Sequence, residues 1–110
     1  MIKGILFASG KADIKPASLP LLDDAVQVLQ QYPALKIRIS GHTDDKGKRD
    51  FNVQLSSDRA AAVKTYLLSK GITDDRIQTR GAGPDEPIAD NKTSAGRQQN
   101  RRIEFELLPQ

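Results

Sequence analysis

The chain is 110 residues long, with 37% hydrophobic and 28% charged residues and no cysteine. That length supports one domain with one core, 1–110, and the composition excludes a disordered tail or a bilayer-spanning run. Without cysteine, a thiol nucleophile, a Cys-ligated zinc and a disulfide framework are excluded, and the net charge of +3 is spread over interleaved acids and bases rather than gathered for a polyanion.

The first predicted element is a buried strand, "IKGILF" (2–7), stopped by Ser9 and Gly10. It leaves no room for the basic and long apolar segments of a leader peptide, so the expectation is either a cytoplasmic chain or a domain of a longer exported protein. Over 19–32, Leu22, Val26 and Leu29 recur at helical spacing, with Asp23 and Asp24 near the start and Pro33 as a stop. "ALKIRIS" then alternates, Leu35, Ile37 and Ile39 against Lys36, Arg38 and Ser40, which predicts a strand with one wet face.

After the loop "GHTDDKGK", a second helix is predicted over 48–70, with Gly71 as its C-terminal cap. "DD" at 74 and 75 reads as a solvated turn, and "RIQTRG" as a short strand. The stretch 81–100 is too long for a simple connection and predicts either a binding loop or a short helix near 94–99. "RRIEFEL" alternates again, and its Glu104 and Glu106 are expected to meet Lys36 and Arg38 if those two strands are neighbours. The fold expected is a two-layer α/β (α+β) sandwich in β-α-β-α-β-loop-β order, a four-stranded mixed sheet with both main helices on one face.

The second helix carries the functional signal. On a wheel centred on Leu55, the residues Phe51, Ala62, Val63 and Tyr66 form the predicted buried stripe, yet Asn52 falls about 60° and Arg59 about 40° from its centre. An arginine cannot shed its proton to ease burial, so it must either find a partner or reach an open end along its apolar stem. Asp44 follows the C-terminal end of a strand, where ligands of α/β sheets tend to bind. A carboxylate, an amide and a guanidinium at one mouth suit a small zwitterionic head group.

The stretches "FASGKADIKP", "GHTDDKGKRDFNVQLSSDRAAAVKTYL", "GAGPDEP" and "NRRIEFEL" resemble, in order and over nearly the whole chain, the OmpA-like C-terminal domain. That domain is the peptidoglycan-binding module of outer-membrane proteins, peptidoglycan-associated lipoproteins and flagellar stator subunits. The resemblance implies non-covalent anchoring to the wall through the diaminopimelate of the peptide stem, in the periplasm, with any membrane attachment supplied by another part of the parent protein. It also implies that Asp44 receives the ligand's ammonium and Arg59 its carboxylate, with Asn52 helping to hold it. Thr43, Ser9, Arg101 and Arg102 would be contacts or supports. Gly10 stands where many relatives carry Asp or Asn, so a contact from that loop falls to Ser9, Lys11 or backbone amides.

Other chemistry has thin support. His42 and Asp44 are too few for a metal centre, and no Gly-rich phosphate loop or nucleophile–base order is present, so no catalytic residue, metal or cofactor is expected. With no Trp and two Tyr, the basic "GRQQNRR" lacks the stacking partners of a single-strand nucleic-acid binder. The alternative function is a protein-interaction module of the same fold in which Asp44 and Arg59 pair with each other. Monomer and dimer both remain open.

Overall fold

The computed structural model describes residues 5–109. The regular elements in chain order are α1 (Leu19–Gln31), β1 (Ile37–His42), α2 (Arg49–Ser69), β2 (Ile77–Gly83), α3 (Ser94–Asn100) and β3 (Arg102–Leu107), with single 3-10 turns at Pro16–Ser18 and Asp74–Arg76. These bounds follow the predicted helices and three of the four predicted strands, and the long connection does hold a short helix. Thr93 caps α3 by accepting a bond from the Gly96 N–H at 3.0 Å, and Gly71, at φ 93°, ends α2 in the left-handed region that lacks a penalty only for glycine.

Among the described residues the sheet has three strands in the order β2-β1-β3, with β1 parallel to β2 and antiparallel to β3. The strand predicted at 2–7 is the difference. Residues 2–4 lie outside the described residues, and 5–7 contribute only an isolated bridge between Phe7 and Ile14. The backbone there is satisfied locally: the Leu6 N–H donates to Ser18 Oγ at 2.7 Å, and the Lys15 N–H donates to the Leu6 carbonyl at 2.8 Å. Residues 6–15 thus form a small hairpin-like loop.

Alternation sorts the sheet into two faces. Ile37, Ile39, Ile77 and Ile103 are buried in one core with Leu22, Val26 and Leu29 of α1 and Ala60, Val63 and Leu67 of α2, so both main helices cover the same face. On the other face Arg38 stands opposite Glu106 in register and bonds it at 2.6 Å, with Ser40 Oγ donating to the same carboxylate at 2.8 Å. The predicted cross-strand pairing is therefore present for Arg38 and Glu106. Glu104 instead meets Arg102 of its own strand at 2.6 Å.

Helix α2 is rotated from the predicted wheel. Its buried residues are Asn52, Ser56, Ala60, Val63 and Leu67, while Phe51, placed on the stripe by spacing, is 59% exposed. The cause lies in the sheet. A Cβ on Gly41 would stand 2.2 Å from the Ser56 carbonyl oxygen, and one on Gly81 would stand 2.6 Å from the Ser57 nitrogen. These neighbouring glycines, paired in register, let the helix backbone settle onto the strands. Only small residues fit at that contact, so Ser56 and Ala60 face inward and Phe51 and Leu55 swing toward the side.

Ser56 also locks the approach, accepting a bond from the Gly83 N–H at 2.9 Å and donating to the Val53 carbonyl at 2.8 Å. We expect Gly41→Ala to cost about 2–3 kcal/mol in chemical denaturation, because rigid backbone would have to move to admit one methyl. A loss below about 0.5 kcal/mol would show that the helix does not lie this close.

Candidate binding cleft

A cleft of about 1000 Å³ lies between the first turns of α2, the 5–15 loop, the end of β1 and the α3–β3 junction. All seven residues expected to form or support the site reach it except in one respect: Ser9, Thr43, Asp44, Asn52, Arg59, Arg101 and Arg102 line the wall, but several of their polar atoms are engaged with the protein itself. Phe51, Leu55 and Ile88 add apolar surface.

Asp44 is placed by the strand that precedes it. β1 runs past Gly41 to His42 with a shift in its register against β2, and the Thr43 N–H continues the ladder by donating to the Gly83 carbonyl at 2.9 Å. Thr43 Oγ1 donates to the Asp44 carbonyl at 2.8 Å, so its hydroxyl works as a brace for the turn. Asp44 Oδ1 accepts the Lys46 N–H at 2.9 Å, closing an Asx-type turn, and Oδ2 meets Arg101 Nη1 at 2.5 Å. Asn52 is buried and donates from Nδ2 to the Lys46 carbonyl at 2.7 Å. It ties the 43–48 loop to α2, a role that its place on the helix face did not disclose.

Arg59 stands at the edge of the rotated stripe. Its Nε donates to the Lys11 carbonyl at 2.8 Å and Nη2 to the Ala8 carbonyl at 3.3 Å, and its guanidinium carbon lies 4.9 Å from the Phe7 ring centroid. Among the described residues it has no carboxylate partner. Burial, and then the charge of Arg101, hold its pKa below the ordinary arginine value. The Asp44–Arg59 pair expected of the interaction-module alternative is not formed: Asp44 is paired with Arg101.

The α3–β3 junction is set by Asn100. Its Oδ1 accepts the Ile88 and Ala89 N–H groups, and its Nδ2 donates to the Ala89 carbonyl and to Asn91 Oδ1, so the 88–91 segment is clamped to the end of α3. Arg102 donates to Glu104, the Asn100 carbonyl and the Glu86 carbonyl. It supports the wall, and Arg101 supplies the charge.

With this geometry in hand, comparison with known proteins is decisive. Residues 6–101 match the OmpA family. The chain belongs to the OmpA family. Over 109 residues it is 40% identical to the probable lipoprotein YiaD of Escherichia coli, covering 99% of this chain and 50% of that protein. It is 38% identical over 101 residues to the peptidoglycan-binding protein ArfA of Mycobacterium tuberculosis, covering 92% of the chain and 31% of that protein. This OmpA-family chain thus spans half or less of the length of these curated relatives. The crystal structure of the peptidoglycan-associated lipoprotein from Burkholderia pseudomallei superposes with a TM-score of 0.87 at 28% identity, covering 94% of this chain and 88% of that one.

His42 is the feature of this OmpA-family cleft that spacing did not reveal as buried. It is 2% exposed, neither ring nitrogen has a hydrogen-bond partner among the described residues, and Nε2 stands 3.7 Å from Glu104 Oε1. Burial first, and then the charge of Arg102, lower its pKa from 6.5. A lowered folded pKa means that the unfolded chain binds more protons below pH 6.5, so stability falls as pH drops through that value toward the folded pKa. We expect the wild type to lose stability as pH falls below about 6.5 in denaturant titrations, and His42→Gln to flatten that slope. Parallel slopes for the two proteins in that window would contradict the assignment.

Proposed function

We propose that the cleft binds the diaminopimelate of a peptidoglycan stem peptide. Asp44 receives the ammonium and Arg59 the carboxylate of the free end of that residue. The observation that carries this reading is Arg59 itself, a guanidinium held in a cleft by two carbonyls and a ring, without a carboxylate of its own. Backbone carbonyls aim such a fork without neutralising it, which leaves a full positive charge for a ligand anion. Asp44 supplies the opposite charge from a turn braced by Thr43 and Asn52.

The ArfA relative, named for peptidoglycan binding, and the peptidoglycan-associated lipoprotein of the same fold support this choice of ligand. In this reading the chain is a binding module without catalytic chemistry, and it fastens its parent protein to the wall in the periplasm. No helix among the described residues is long and apolar enough to cross a membrane.

The test is calorimetric titration with a soluble stem peptide carrying meso-diaminopimelate and with a control carrying lysine, which lacks the terminal carboxylate. Wild type should give saturable heat with the first alone. Arg59→Ala and Asp44→Ala should each weaken binding at least tenfold, on the order of 1.5–3 kcal/mol for a charge-assisted pair. Arg59→Ala leaves no carboxylate orphaned, so its unfolding free energy should change by no more than about 1 kcal/mol. Equal heats with lysine, or loss of the fold with Arg59→Ala, would overturn the proposal.

A further inference from the structure

The charges around the cleft do not balance. Among the described residues, Lys15, Lys46, Arg59, Arg101 and Arg102 line it against only Asp44 and Glu104. Glu104 is taken by Arg102. The one carboxylate left for a ligand ammonium is Asp44, and Arg101 already occupies its Oδ2.

The two members of that pair differ in freedom. The Asp44 side chain is 12% exposed and tied by its other oxygen to the Lys46 N–H, whereas the Arg101 side chain is 45% exposed and has no other side-chain partner among the described residues. The Arg101 backbone is held by its N–H to the Arg97 carbonyl and by the Asn100 clamp beside it. Release from Asp44 therefore requires only side-chain rotation. Arg102, with three acceptors, has no such latitude.

Resting on the diaminopimelate reading, we propose that Arg101 is a displaceable stand-in for the ligand's ammonium, and that binding transfers its guanidinium from Asp44 to a second carboxylate on the same ligand. An incoming ammonium competes for Oδ2, and a guanidinium released beside Arg59 meets a like charge. Both cations line the same cleft, and the charge of Arg101, after burial, lowers the pKa of Arg59. A second anion relieves that repulsion. A ligand with one ammonium and two carboxylates balances Asp44, Arg59 and Arg101 together, and a planar fork suits the second carboxylate as well as the first. In a stem peptide this anion has two sources: the free α-carboxylate of the γ-linked glutamate, or the second carboxylate of diaminopimelate when that residue ends the peptide.

Three peptides separate these sources in a titration of wild type, Arg101→Gln and Arg101→Lys. They are L-Ala–γ-D-Glu–meso-diaminopimelate, the same peptide with the glutamate carboxylate amidated, and the same peptide with the C-terminal diaminopimelate carboxylate converted to a primary amide. Wild type should lose about tenfold in affinity for the peptide lacking the carboxylate that Arg101 takes, and little for the other. Arg101→Gln should bind all three alike and bind the disfavoured peptide at least as well as wild type does, since Asp44 is then unoccupied. Arg101→Lys, which keeps the charge without the fork, should fall between and guards against a misfolded glutamine variant.

Wild type binding all three peptides equally would overturn the transfer while leaving the diaminopimelate reading intact. Equal loss of every peptide by Arg101→Gln, from a protein shown to be folded, would also overturn it and make Arg101 a positioning residue for Asp44. No saturable binding of any peptide by wild type would sink both readings at once.

Discussion

Helix α2 rests on the sheet at the separation that two glycines allow, and the cleft is a consequence of that contact. Gly41 and Gly81 stand side by side on β1 and β2, and the backbone at Ser56 and Ser57 occupies the space their side chains would need. A larger residue at either place would lift the helix by one side-chain layer. Because Ser56 and Ala60 take the inward positions, Asn52 continues their buried stripe beneath the 43–48 loop and ties it, while Arg59 comes to the rim and reaches the 8–11 carbonyls. Packing at the middle of the helix thereby decides the chemistry at its N-terminal half.

The electrostatics of the cleft follow a division of labour among arginines. Arg102 is consumed by acceptors around the α3–β3 junction and holds the wall together. Arg59 is aimed by carbonyls and left uncompensated. Arg101 pairs with Asp44 and gives that nearly buried carboxylate a countercharge. The open face of the sheet is arranged differently: Glu106 meets Arg38, Ser40 and Arg80, and Arg80 donates to Ser40, while the buried Arg38 Nε has no hydrogen-bond partner among the described residues. Charge is thus largely paired off on the sheet face and left in surplus in the cleft.

Much of the fold was legible because it is local. Helix bounds follow from periodicity and from Gly71, and the strands at β1 and β3 follow from strict alternation, which also placed Arg38 opposite Glu106. The convergence of Asp44, Asn52 and Arg59 was legible from helical spacing and from a loop at a strand end. What escaped depends on contacts distant in sequence. Phe51 was assigned to the core because nothing in its helix announces that glycines in the sheet favour small residues there. The 2–7 strand was inferred from apolar content, whereas the described part bonds to Ser18 and Lys15. Arg101 as the partner of Asp44, and the burial of His42, arise where α3, β1 and β3 meet, and no spacing rule spans 57 residues.

The central claim is that Arg59 lies on the helix face because its guanidinium completes a ligand site. Proton–nitrogen correlation of arginine side chains tests it most directly, with the Arg59 Nε–H assigned by its disappearance in Arg59→Lys, during titration with the soluble stem peptide carrying meso-diaminopimelate and, separately, the stem peptide carrying lysine. A saturable shift of that resonance together with the Asp44–Lys46 amides, produced by diaminopimelate and not by lysine, is the result the account predicts. An unchanged Arg59 resonance in a folded domain, or shifts confined to another surface, would contradict it.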